Sequence, residues 1–120
     1  MDTLFISAAI LLFMGVIFHL TYRAMIKENF VRNRAIGIRT PSTLASDAAW
    51  REGHRAAAPL LLATVLVSYA TAMVCAVAAI VIGDSVSDGL AGVVPLVGFG
   101  SVIALLVYMT RVADRAARAR

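Results

Sequence analysis

Cysteine and histidine are nearly absent from this chain: its 120 residues include one cysteine, Cys75, and two histidines, His19 and His54. A single thiol excludes an internal disulfide and a cysteine-based zinc site. Two imidazoles are too few for a histidine metal cage. Charge is scarce as well, at 15% of residues against about 25% in soluble domains. Hydrophobic residues reach 61%, and the mean hydropathy is +0.87. Too little polar chain remains for a soluble catalytic domain.

Three stretches carry no Asp, Glu, Lys or Arg: residues 3–22, 56–83 and 89–110. Each supplies the roughly 20 apolar residues that a helix needs to cross a bilayer. In lipid the backbone must hydrogen-bond to itself, and the period-two alternation of a barrel strand is missing. The expected fold is therefore all-α: an integral membrane three-helix bundle, one domain over 1–120, whose loop 23–55 contains a short interfacial helix. The first stretch has no basic flank before it and runs into Tyr22-Arg23, not a small-residue cleavage site. It reads as a span and not as a cleaved leader.

All eleven basic residues lie in loop 23–55 or in the tail 111–120. The segments on the other side hold only Asp2, Asp84 and Asp88. By the positive-inside rule the N-terminus faces out, loop 23–55 and the tail are cytoplasmic, and residues 84–88 form an outside hairpin. The basic residues stand close to span ends, so anionic lipid headgroups are the expected partner and nucleic acid is not, despite a pI near 10.0.

No acidic or basic residue falls inside a span, which argues against a pump or coupled transporter built from this chain alone. His19, four residues before Arg23, reads as an interfacial histidine, with a proton-handling role as the sharper alternative. Thr64, Ser68, Ala72 and Ala76 recur every four residues, a row that admits a close helix neighbour in the same bundle or in a partner chain. Gly92, Pro95, Gly98 and Gly100 mark a kink or close contact in the third span. Cys75 reads as a small packed hydrophobe.

The polar information lies in residues 33–55. Gly37 permits a turn with positive φ, and Pro41 holds Thr40 extended ahead of a turn. Ser46 followed by Asp47 signals a helix start that leads towards the second span. On that helix Trp50 and His54 share one face, and Asp47 can pair with Arg51. Trp50 suits the headgroup zone, which makes the segment a candidate interfacial helix. Arg39 and Thr40, between a glycine and a proline, offer donors to a phosphate or carboxylate. The alternative for Arg39 is a lipid headgroup or a helix end. Trp50 and His54 form either a partner-contact face or the fastening of the loop to the core. No nucleophile–base pair, carboxylate pair or phosphate loop is present, so neither a catalytic residue nor a cofactor is assigned. Asp47, Glu52 and His54 are too few for a metal.

Asn33, Gly37-Ile38-Arg39-Thr40-Pro41, Thr43-Leu44, Ser46 and Trp50 with His54 resemble the signature of the SdpI family. The match covers about residues 29–59 with the flanking helices. The resemblance implies a bacterial cell-membrane protein, and the founding member gives immunity to a secreted peptide toxin. It also implies that Asn33, Gly37, Arg39, Thr40, Pro41, Thr43, Trp50 and His54 bind a ligand or partner: a peptide toxin, a regulatory protein or another membrane protein. A second hypothesis is a small accessory subunit of a larger membrane complex, and a weaker third is a pore formed by self-association.

Overall fold

A computed structural model of the chain describes residues 2–27, 30–33, 36–82 and 88–119. Helix α1 spans Asp2–Met25, α2 Asp47–Val81, α3 Asp88–Ala91 and α4 Val93–Arg118, with a 3-10 turn at Thr43–Ala45 ahead of α2. Helices α1, α2 and α4 are long and apolar enough to cross a membrane, and the described residues contain no strand. The chain is an all-helical membrane protein with three spans. Residues 83–87, most of the expected hairpin, lie outside the described residues.

Helix α2 organises the bundle. It packs along α1 on one side and α4 on the other, while α1 and α4 touch little. Its 35 residues rise about 52 Å at 1.5 Å each, close to the 54 Å length of the molecule. A bilayer core is about 30 Å thick, so the charged segment 47–55 extends beyond the uncharged, membrane-spanning part. This corrects one expectation: the segment after Ser46 is no separate interfacial helix but the first turns of α2. Its start is capped as expected, with the Ser46 hydroxyl accepting from the Ala49 N–H at 3.0 Å. Pro59 lies within α2 without ending it.

Small residues make this packing possible. Thr64, Ser68 and Ala72 are buried, and a Cβ on Gly15 of α1 would stand 2.8 Å from the Tyr69 ring and 3.4 Å from Ser68 Cβ. The four-residue row thus faces its own bundle. Gly98 plays the same part for α4, where a Cβ would collide with Thr71. Cys75 is fully buried among Leu11, Ala72 and Ala79. Large apolar side chains such as Phe13, Met73, Ile80 and Leu96 are exposed, as a lipid-facing surface requires.

The third span begins later than residue 89. A turn at Gly92 separates α3 from α4, which puts the expected kink there. Pro95 then falls in the first turn of α4, where a missing N–H costs no helical bond. His19 keeps a partner at its span end: its Nδ1 lies 3.1 Å from the Tyr69 hydroxyl, and the two rings meet edge to face.

Candidate functional site

The loop folds back over the end of the bundle, and each turn has a local cause. The Asn33 carboxamide oxygen accepts from the Ile36 N–H at 2.7 Å, and its Nδ2 donates to the Val31 carbonyl at 3.1 Å. Gly37 has φ +114°, a conformation that L side chains rarely adopt. The chain there passes directly over two rings: a Cβ on Gly37 would lie 2.7 Å from His54 Nε2 and 3.0 Å from Trp50 Cη2. The glycine is needed for both the backbone angle and the space.

That passage is pinned by His54. Its Nε2 accepts from the Ile38 N–H at 2.8 Å, and its Nδ1 lies 2.8 Å from the Trp50 carbonyl. An accepting Nε2 carries no proton, so the network assigns the proton to Nδ1, which donates to that carbonyl. Rings close over the pin. The centroid of Trp50 is 4.1 Å from His54, and Phe30 lies 5.4 Å from Trp50 and 5.1 Å from His54. Trp50 is 1% and His54 2% exposed. Trp50 is therefore covered by the protein itself and does not face lipid headgroups, contrary to what its place near a span end suggests.

Burial holds the His54 imidazole below its ordinary range, and the bond to the Trp50 carbonyl opposes this only in part. Protonation of Nε2 would set two donors face to face. A histidine held neutral contributes its full stability above the unfolded value, about 6.5, and loses it as pH falls below, because the unfolded chain then binds the extra proton. Thermal unfolding of the purified chain should show declining stability from about pH 7.5 to about pH 5.5, and His54→Gln should flatten that slope with His19 intact.

A second set of bonds ties the loop to α4. The Thr43 hydroxyl accepts from the Thr40 N–H at 2.9 Å and donates to the Ile38 carbonyl at 2.8 Å. The Thr40 hydroxyl donates to Asp114 at 2.7 Å. Arg118 pairs with Asp114 at 2.8 Å and reaches the Ser42 hydroxyl at 3.2 Å. The Thr40 hydroxyl, ahead of Ser42 and Arg118, keeps the Asp114 carboxyl below the ordinary carboxylate range. Arg32 pairs with Asp47 at 3.0 Å and donates to the Leu44 carbonyl at 2.8 Å. Asp47 thus pairs across the loop and not with Arg51, its expected partner. At Gly53, where α2 crosses α4, a Cβ would meet the Ala113 carbonyl oxygen at 2.9 Å.

Of the eight candidate residues, Gly37, Trp50 and His54 meet in the ring cluster, and Thr40 and Thr43 meet beside Asp114. Asn33 shapes the entering turn. Pro41 stands exposed at the tip. Arg39 is exposed and makes no hydrogen bond or ion pair among the described residues, so no helix end is capped by it. Arg39 lines a groove of about 540 Å3 that runs between α1 and α4 beneath Gly37–Thr40, with walls that include Ile17, Phe18, Leu106 and Met109. Sequence reasoning missed Phe30, Arg32 and Asp114. Two of them carried a signal: Phe30 is the sole aromatic in residues 23–49, and Asp114 the sole acid in the tail. Among the described residues no three His, Cys, Asp or Glu side chains gather as a metal site.

A three-span helical bundle with a polar loop latched across one end defines a small integral membrane protein. The model of the SdpI/YfhL protein family matches residues 29–110, and the chain belongs to that family, which is not a known enzyme family. No curated protein and no solved structure matches it.

Proposed function

We propose that the chain is an immunity protein of the bacterial plasma membrane that binds a secreted antimicrobial peptide toxin within the bilayer. Its N-terminus faces out, and its loop and tail face the cytoplasm, in keeping with basic residues confined to those segments. The observation that carries this reading is the apolar groove between α1 and α4, lined under the latched loop by Arg39, which has no ion pair among the described residues. A peptide that has entered the membrane reaches this groove from the lipid side and lays apolar side chains against Ile17, Phe18, Leu106 and Met109. Its carboxylate or another anionic group meets the planar fork of Arg39. Gly37, Thr40, Thr43, Trp50 and His54 keep the loop over the groove, with Asn33 and Pro41 shaping its turns.

Expression in a toxin-sensitive bacterial host should raise survival under peptide challenge. Arg39→Ala should remove most of that protection at unchanged membrane abundance, read by immunoblot. Unchanged sensitivity on expression of the native chain refutes the proposal. Of the motives for the accessory-subunit hypothesis, the row of small residues is satisfied within the chain's own bundle, where Thr64, Ser68 and Ala72 are buried; the small size and the uncharged spans remain.

A further inference from the structure

A second concavity lies on the opposite flank of the latch, between the end of α1 and the first turns of α2. It is half open, about 660 Å3, and its lining includes Lys27, Arg51 and Arg55, a size in the range of small-molecule sites. Among the described residues Glu52 is the one acid lining it, against these three cations. Arg51 and Arg55 are one helical turn apart, an arrangement in which like charges oppose each other. None of the three cations has a hydrogen bond or ion pair among the described residues, whereas Arg32 and Arg118 are both engaged. The remaining wall is formed by Met25, Ile26, Phe30 and Ala58 together with the His54 ring.

Its depth identifies the occupant. Lys27 follows the uncharged stretch 3–22 by five residues, and Arg55 is the last charge before the stretch 56–83. The three cations therefore ring the level where hydrocarbon gives way to headgroups, with Met25, Ile26 and Ala58 towards the uncharged stretches. The geometry points to a discrete binding site for one anionic phospholipid: phosphate among Lys27, Arg51 and Arg55, and the upper acyl chain against Met25, Ile26 and Ala58. This site is separate from the Arg39 groove and does not depend on the toxin reading. It differs from the diffuse attraction of any basic surface to an anionic leaflet because it demands particular side chains.

The full chain, purified in a mild detergent, is mixed with equal phosphatidylglycerol and phosphatidylcholine, and retained lipid is counted by native mass spectrometry. The native chain should retain one phosphatidylglycerol in preference to phosphatidylcholine. Arg51→Gln with Arg55→Gln should lower that preference at least about tenfold. Arg111→Gln with Arg115→Gln, which removes equal charge from the exposed face of the tail, should leave it nearly unchanged. Trp50 emission matching the native spectrum verifies the fold of each variant. If the double arginine variant fails that check, Lys27→Gln, outside the helices, must show the loss instead. Equal loss in pocket and tail variants, no preference in the native chain, or equally tight retention of soluble glycerol phosphate would each overturn the assignment.

Discussion

Replacing Trp50 by alanine is expected to cost about 3–5 kcal/mol, the usual cost of deleting a fully buried large aromatic side chain. The ring is 1% exposed and contacts both Phe30 and His54, so its loss leaves a void beneath Gly37 as well as unpacked partners. Trp50→Phe should cost clearly less. The Trp50 indole N–H is buried with no hydrogen-bond partner among the described residues, so phenylalanine gives up ring volume but no bond seen there. Reversible unfolding in mixed micelles separates the two variants. If Phe proved as damaging as Ala, the indole nitrogen would hold a polar role that this packing account lacks.

Gly37→Ala should be nearly as severe. A side chain at φ +114° costs roughly 1–2 kcal/mol in backbone strain. The new methyl would also stand where His54 Nε2 now accepts the Ile38 N–H. Losing that bond strands a part-buried donor, at about 1–3 kcal/mol. Gly100→Ala is the matched control: it lies inside α4, and a Cβ there meets nothing within 4 Å. Alanine should be neutral or slightly stabilising at that position, since glycine weakens a helix interior. The same stability assay and a survival assay on both variants would show whether protection follows the latch.

These two residues mark the boundary of what sequence alone conveys. The three spans were legible because charge is excluded from hydrocarbon, and gaps between charges can be measured by eye. Ser46 was legible because capping is local, and Trp50 with His54 because four residues make one helical turn. What they touch was not legible. Phe30 reaches Trp50 from 20 residues away, and Thr40 meets Asp114 across 74 residues, distances over which no periodicity speaks. Local rules also misled where a distant competitor won: Asp47 takes Arg32 over Arg51. Aromatic residues near span ends often face lipid headgroups, but the returning loop covers Trp50. Arg39 stood out by its place between Gly37 and Pro41, but the groove it lines exists only once α1 and α4 straddle α2.

The structural claim beneath all of this is that one neutral imidazole holds the loop to the bundle. Nitrogen-15 NMR of the histidine side chains in the micelle-bound full chain, combined with amide exchange at Ile38, reads that claim directly. Near neutral pH, His54 should appear with Nδ1 protonated and Nε2 bare, and the Ile38 amide should exchange slowly. A His54 ring protonated on Nε2, or an Ile38 amide that exchanges as fast as those of the exposed tail, would contradict it.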